Sequence, residues 1–429
     1  MKVAVIGGGA IGLAAAYFIA EKGADVTVLE RGRLGETTSE ASAGWLTPGI
    51  SSIPVAAPGV VPQALRWMVR PDSPFYVHPR LSPSLASFLI RFWRSSSSMR
   101  FQAALRALVA LNRSTLPLLD EMRTNGVQFE MHNRGLLFAC LSRQAAAKEA
   151  EAYNLLRQAG FEGDFTLLDA DEIHALEPTL SDTVEAGLYS KLERHSRPET
   201  IVAGLAAHLR QHGLTVREHS PVLKITKRQT VWELRLRDEV IQTDKVVVAA
   251  GVWTGELVRP LGLRLNFLSG KGYGLTFEQP PVTVQHPMYL IEAKVALSPY
   301  TGALRLGGTL ELMRPDATLA SRRLAAIRAA ARKYLRDWPD IEPTMARTGQ
   351  RPMLPDSLPA IGPVNGHDGL FVSAGHGMVG ITMSAPSGAA LAAAVVDGKT
   401  VPELMPFSPN RFRRHSSQPS DVESEPVAA

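Results

Sequence analysis

The sequence predicts an α/β fold that opens with a nucleotide-binding β-α-β unit, and three observations carry the prediction. The run VAVIGGGAIGLAAAY sets Gly7, Gly9 and Gly12 between the apolar stretch Val3 to Ile6 and a helical pattern. A second buried strand, Asp25 to Leu29, ends at Glu30, 18 positions past Gly12. The 429 residues exceed what one hydrophobic core usually organises, so two domains are expected.

Each part of the opening has a physical reason. A strand that turns sharply, admits a pyrophosphate against bare backbone and packs a helix closely on itself needs glycine at those three places. The helix opening at Ala10 or Ile11 aims its unpaired N–H groups at the phosphates. Glu30 stands where a carboxylate accepts hydrogen bonds from a ribose diol, with Arg31 beside it. The glycines, strand, helix and acid together make the opening a Rossmann-like site for an adenine dinucleotide.

The remaining elements follow in order. A polar loop, GETTSEASAGWLTPG, leads into a proline-rich crossing from Pro54 to Pro83. Helices are expected over Met99 to Asn125 and Ser142 to Ala159, separated by a hairpin-like pair, Val127 to His132 and Leu136 to Leu141. Pro198 starts a helix to His212, with strands near Thr215, Val222, Val231 and Lys245. Residues 262 to 312 read as strands with glycine turns, and Ala320 to Trp338 as a basic amphipathic helix. A strand from Leu370 to Ser373 meets GHGMVG, after which Ile381 to Val396 is helical. The polar tail from Arg411 is expected to be disordered.

Composition bounds the rest. A hydrophobic fraction of 45% and a net charge of +5 suit a globular protein with an anionic cofactor and a carboxylate substrate, and no nucleic-acid partner is expected. The single Cys140 excludes an internal disulfide and suits a reducing compartment, and the sequence LLFAC reads as a buried strand. The histidines lack metal-ligand spacing, so no metal is expected. Met1 and Lys2 run straight into the first strand, which predicts no export signal and a cytoplasmic location. Residues 82 to 101 interleave Phe88, Leu89, Ile90, Phe92 and Trp93 with Arg91, Arg94 and Arg100. The segment reads first as a core helix and second as a peripheral helix on the inner face of the cell membrane.

An NAD enzyme and a flavoenzyme begin alike, and three later features favour FAD. VVVAAG followed by Trp253 offers a second backbone approach at Ala250 and Gly251, with Val222 assigned to the same nucleotide end. Thr38, Ser39, Ser42, Ala43 and Gly44 supply hydroxyls and small residues where phosphates and a ribityl chain would run. Gly375, His376, Gly377, Met378, Val379 and Gly380 stand between a buried strand and a helix, where backbone donors can face a flavin's electron-rich edge.

These motifs occur in one order with LTPG, AAPGVVPQALRWM at 56 to 68, GVQFE, RGLLF, LEP, GKGYGLTF at 270 to 277, LRLGGTLEL, GQRPMLPDSLPAIGP at 349 to 363 and GHGMVGIT. On them the chain resembles the FAD-dependent family that includes D-amino acid oxidase, glycine oxidase and sarcosine oxidase, and within it is most similar to bacterial D-amino acid dehydrogenases. The resemblance spans the chain to about Phe412. It implies a discontinuous FAD domain, here 1–80, 145–260 and 345–410, interleaved with an α+β, mixed-sheet substrate domain, 81–144 and 261–344. The flavin would sit between them, held non-covalently because Cys140 is not where sarcosine oxidases tether theirs. Ser42 stands where such dehydrogenases often have asparagine, and Gly274 where they commonly have serine.

Oxidising an amino acid requires the carboxylate to be held while the α-hydrogen faces the flavin. Arg351 is the expected clamp, because a guanidinium grips a carboxylate through two parallel hydrogen bonds, and the resemblance assigns such an arginine to this motif. A structural pairing of Arg351 with Asp356 is the competing reading. Tyr273 is expected either to assist at the carboxylate or to be a buried core tyrosine, His376 to contact the flavin more than to move protons, and Lys271 to stand either near the flavin or on the surface. His195 reads as a cap residue that approaches the substrate domain. The expected reaction is oxidative deamination of a D-amino acid, with a quinone, another carrier or oxygen as acceptor. The alternatives are an oxidase or dehydrogenase for glycine, sarcosine or D-hydroxyproline, and a flavin-carrying subunit of a heteromeric amine dehydrogenase.

Overall fold

The computed structural model describes residues 1–62, 75–77, 83–399 and 401–412. Much of the proline-rich crossing, part of AAPGVVPQALRWM and the tail beyond 412 lie outside the described residues.

The opening forms as the sequence predicts. Lys2–Ile6 is a strand, Ala10–Glu21 a helix and Asp25–Leu29 a parallel neighbour of the first strand. They belong to a six-stranded sheet ordered Thr215–Arg217, Asp25–Leu29, Lys2–Ile6, Lys245–Val248, Leu370–Ala374, Ala360–Pro363, parallel except at the last strand. Alternation sorts its side chains between two cores. Val3, Val5 and Val247 face the opening and closing helices, while Ala4, Ile6, Val246 and Val248 face the three-stranded sheet built from residues 224 to 243. The closing helix, Gly380–Val396, lies so close to the opening helix that a Cβ on Gly388 would fall 2.9 Å from the Ala14 carbonyl.

A second, mixed sheet of nine strands includes Met345–Met353, Leu268–Glu278, Ala303–Met313, Val295–Tyr300, Met288–Leu290 and Leu136–Cys140 in that order. The helix Ser321–Tyr334 covers one face through Ile327, Ala331 and Tyr334. Ala186–Ser190 and Phe165–Leu168 extend that row, and Phe75–Val77, parallel to Ala303–Met313, is the ninth strand. The chain therefore crosses between the sheets more often than the expected boundaries at 145 and 345 allow. Of the helices expected on the substrate side, Thr115–Thr124 packs its apolar face with the nucleotide core, and Ser98–Asn112 is shared, with Ala104, Leu108 and Leu111 on that core and Leu105 and Val109 against Leu136, Phe138 and Leu188 of the nine-stranded sheet.

Several local expectations are corrected. The helix over 99 to 125 is two helices, because Pro117 lacks an N–H and would collide with the Arg113 carbonyl. The hairpin at 127 to 141 does not form: Met131–His132 pairs with Arg194–Ser196, whereas Leu136–Cys140 enters the nine-stranded sheet. The helix Pro83–Ser95 is not a core helix, since Phe88 is buried but Leu89, Ile90 and Trp93 are exposed by 41%, 51% and 64%. Among the described residues no helix is long and apolar enough to cross a membrane. Arg411, where the disordered tail is expected to begin, is fixed by Asp356 and by the Leu358 carbonyl.

Candidate active site

One large cavity of about 930 Å³ runs between the two sheets, at the upper end of the size expected for ligand sites. Its nucleotide end is built by the opening turn. Gly7 has φ +120°, and any Cβ there would lie 2.4 Å from the Ala249 carbonyl oxygen. A Cβ on Gly12 would lie 1.9 Å from the Gly7 carbonyl oxygen, so Gly12 seats the helix rather than facing the cavity. Gly9 does face it, and a Cβ there would meet only the Ser39 hydroxyl, at 3.3 Å. Ala10 and Ile11 line the wall at the helix start, where Ser39 Oγ accepts from the Ala10 N–H at 3.0 Å.

Glu30 accepts from the N–H groups of Gly8 at 2.7 Å and Gly32 at 2.9 Å and still faces the cavity, with lone pairs left for a ribose diol. Arg31 stacks on Trp253 with its guanidinium 3.5 Å from the ring centroid, and Val222, Ala250 and Gly251 line the same end.

The loop Thr38 to Gly44 is a shelf pinned by the nine-stranded sheet. Buried Arg305 donates to the carbonyls of Glu40 at 2.9 Å and Ser42 at 3.0 Å, and the Tyr300 hydroxyl donates to Ala43 at 2.7 Å. Thr38 donates to the Gln350 carbonyl, and Thr38, Ser39, Ser42 and Ala43 all line the cavity. Gly44 does not. It has φ +71° and lies against the Ser196 backbone, so its expected cofactor contact is replaced by a packing role. Gly274 has a local reason as well, because a side chain there would meet the Ala41 carbonyl at 2.8 Å.

At the other end Gly375, His376, Gly377, Met378, Val379 and Gly380 line the wall where the closing helix begins. Two helix N-termini thus open on one cavity, and both favour electron-rich groups. His376 is buried, its Nε2 is 3.0 Å from the Ser387 hydroxyl, and burial pulls its pKa down to about 3. A neutral ring held this way suits positioning rather than proton transfer at neutral pH. Trp45 Nε1, Ser373 Oγ and His376 Nδ1 belong to wall residues and have no hydrogen-bond partner among the described residues. Two electropositive helix starts, bare glycine backbone, a diol-ready carboxylate and these unpartnered groups along an elongated cavity fit FAD.

Arg351 reaches the cavity from Met345–Met353. Its Nη1 donates to the Thr309 carbonyl at 2.6 Å, and its guanidinium lies over Gly272, where a Cβ would fall 2.2 Å from Nη2. The carbonyl is available because the ladder between Leu268–Glu278 and Ala303–Met313 bulges between Lys271 and Tyr273, with Thr309 at φ +66°. No carboxylate lies within ion-pair range of Arg351 among the described residues. Asp356 belongs to Arg411, at 2.7 Å, which removes the competing reading. Burial lowers the Arg351 pKa to about 10.

Two expected neighbours are not in the cavity. Tyr273 points away from Gly272, as alternation along a strand requires, and donates to Glu311 at 2.7 Å inside the sheet–helix core. Lys271, on the same side, is buried and paired with Asp316 at 2.7 Å, and that bond holds the aspartate down to about 2. His195 sits in a strand rather than a cap, stacked on His132 with centroids 4.9 Å apart and bonded to the Pro299 carbonyl of the nine-stranded sheet at 2.7 Å.

The tyrosine that does face the cavity is Tyr289, edge-on to Trp45 at 5.5 Å, with no hydrogen-bond partner among the described residues and with burial raising its pKa. Glu149 and Lys294 line the wall too. None of these three carries a motif signal, since each lies in an ordinary helical or strand pattern.

The model of the FAD dependent oxidoreductase family, DAO, matches residues 2–394. A D-amino acid dehydrogenase of Cereibacter sphaeroides is 32% identical over 94% of this chain and 93% of that protein. One of Chromohalobacter salexigens is 30% identical over 91% of this chain and 95% of that protein. Among solved structures, a glycine oxidase from Geobacillus kaustophilus superposes with a TM-score of 0.76 at 23% identity, covering 96% of this chain and all of that one.

Proposed function

The chain belongs to the FAD dependent oxidoreductase (DAO) family, and on that premise we propose that it oxidises D-amino acids to imines that hydrolyse to 2-oxo acids and ammonia. The observation that carries the proposal is Arg351, a cation facing the cavity without a carboxylate partner among the described residues. An uncompensated charge in a water-poor wall is costly, and a substrate carboxylate relieves the cost. The guanidinium fork accepts that carboxylate through two parallel bonds, and the Tyr289 hydroxyl is the nearby donor suited to assist. When bound, FAD supplies a two-electron acceptor for the substrate's α-hydrogen.

The chain's own contribution is orientation. Arg351 fixes one end of the substrate, the wall around His376 and Gly377 defines the other, and a neutral His376 leaves the amine to lose its proton to water. Cys140 is buried in Leu136–Cys140 and outside the cavity wall, which supports non-covalent FAD. Anaerobic mixing with D- and L-amino acids, glycine, sarcosine and hydroxyproline isomers tests the reading. Loss of flavin absorbance with D-isomers supports it, and loss only with glycine or sarcosine replaces it by the alternative substrates.

The acceptor reading rests on the helix Pro83–Ser95. Phe92 lines the cavity, while Leu89, Ile90 and Trp93 face outward beside Arg94. An apolar face with flanking cations supports contact with an anionic bilayer and a quinone as acceptor. Cosedimentation with anionic vesicles, lost on changing Leu89, Ile90 and Trp93 to serine, is the expected result. Equal pelleting of that variant removes this support.

A further inference from the structure

Beyond the carboxylate clamp, the cavity holds a second charged feature. Glu149, from the helix Arg143–Gln158, and Lys294, from the turn that joins Met288–Leu290 to Val295–Tyr300, meet across the wall with Oε1 and Nζ 4.0 Å apart. That separation is beyond a hydrogen bond. Neither side chain hydrogen-bonds to any described protein group, although their exposures are only 17% and 32%. Lys294 is presented by a left-handed backbone, φ +54°, which a lysine adopts at a cost.

Neighbouring charges are already engaged. Glu292 accepts from the Leu141 N–H and the Tyr334 hydroxyl, and the Cys140 thiol lies against the Phe138 carbonyl. Burial raises the Glu149 pKa and lowers that of Lys294, and each ion opposes the other's shift across the 4.0 Å gap without a hydrogen bond to close it. Tyr289 links this pair to the clamp: Lys294 Nζ is 5.2 Å from its ring centroid, and both Glu149 and Arg351 act electrostatically on its phenol.

We propose that Glu149 and Lys294 are specificity-determining residues that read the substrate side chain and select a neutral group able to donate and accept at once, above all a carboxamide. An amide N–H donates to Glu149 while its carbonyl accepts from Lys294. A carboxylate or an ammonium gains one of the two partners and meets a like charge at the other. An aliphatic side chain leaves both ions desolvated and unanswered, the situation in which polar sites discriminate most strongly. The inference rests on the amino-acid reading above and deepens it.

The test compares D-asparagine with D-leucine, nearly equal in shape, in the FAD-loaded wild type and in the Glu149→Leu/Lys294→Met double variant. D-alanine, whose methyl side chain offers the pair no donor or acceptor, is the control. The wild type is expected to favour D-asparagine over D-leucine, and over D-aspartate, by at least about 10-fold in kcat/KM. The double variant should lose that preference, read as the ratio of kcat/KM for D-asparagine to that for D-leucine, while D-alanine still reduces its flavin. A wild type that uses D-leucine as well as D-asparagine, or a double variant with an unchanged ratio, overturns the proposal.

Lys294→Met and Glu149→Gln, each alone, serve if the double variant does not fold, and each should lower the ratio. If D-alanine itself fails to reduce the flavin, the amino-acid reading has failed. The pair is then judged by equilibrium binding of succinamate against 4-methylpentanoate, followed by flavin absorbance. Tighter succinamate binding that the variants abolish upholds the carboxamide site, and equal binding overturns it.

Discussion

Replacing Arg351 with methionine should make the FAD-loaded protein a much poorer catalyst without making it less stable. Truncating one partner of a desolvated, hydrogen-bonded charge pair costs about 2 to 5 kcal/mol, or about 30-fold to a few thousand-fold in kcat/KM. On the stability side, a pKa brought from 12.5 to about 10 by burial corresponds to at most about 3 kcal/mol against the folded state, less whatever water in the cavity screens. The sign is fixed because the folded-state value lies below the unfolded one, so the penalty is fully present at every pH below about 10. Methionine removes the penalty and leaves the Thr309 carbonyl without its donor, a loss of about 1 to 3 kcal/mol that offsets the gain. The net expectation is unchanged or slightly higher stability in urea, unchanged flavin content, and a collapse in kcat/KM for D-alanine that Arg351→Lys restores only in part. A methionine variant with kcat/KM within about threefold of the wild type would refute the clamp.

Gly272→Ala places a Cβ 2.2 Å from Arg351 Nη2 and should lower kcat/KM while flavin content stays intact, as read from the ratio of visible to ultraviolet absorbance. Gly9→Val fills cavity space where only Ser39 Oγ stands nearby, so the purified protein should be colourless yet folded by circular dichroism; a yellow, fully loaded variant contradicts the phosphate site. Glu193 is fully buried beside the Gly49 N–H and Tyr153, and burial pushes its pKa up to about 8. Its folded-state pKa is raised, so stability is greatest below about 4.5, the unfolded value, and falls as pH rises towards about 8. Glu193→Gln should flatten stability against pH across that window, and an unchanged slope in denaturant titrations counts against the assignment.

The strand–turn–helix opening was legible because its information is local: glycine spacing, alternation and Glu30 all lie within one supersecondary unit. The substrate end was less so. GKGYG draws the eye to its two large residues, Lys271 and Tyr273, yet the strand's other face is the functional one. Gly270, Gly272 and Gly274 clear that face for Leu310, the Arg351 guanidinium and the Ala41 carbonyl. Alternating glycines thus carried the signal, since a strand gives up side chains every second residue only where something must approach. Tyr289, Glu149 and Lys294 were not legible in the same way, because only the pairing of distant strands and helices brings them to one wall.

The clamp also shows why backbone irregularity belongs in this site. A carboxylate beside Arg351 would orient it well but would cancel the charge that the substrate must meet. A backbone carbonyl orients the guanidinium and leaves its charge largely intact. A regular ladder would commit the Thr309 carbonyl to its neighbouring strand; the bulge and the left-handed Thr309 turn it towards Nη1 instead. The cost of one such non-glycine residue is about 1 to 2 kcal/mol, smaller than the transition-state binding that a correctly aimed, uncancelled guanidinium supplies. Strain in the sheet and glycine beneath the guanidinium are therefore two parts of one arrangement, and altering either should disturb the aim of Arg351 before it disturbs the fold.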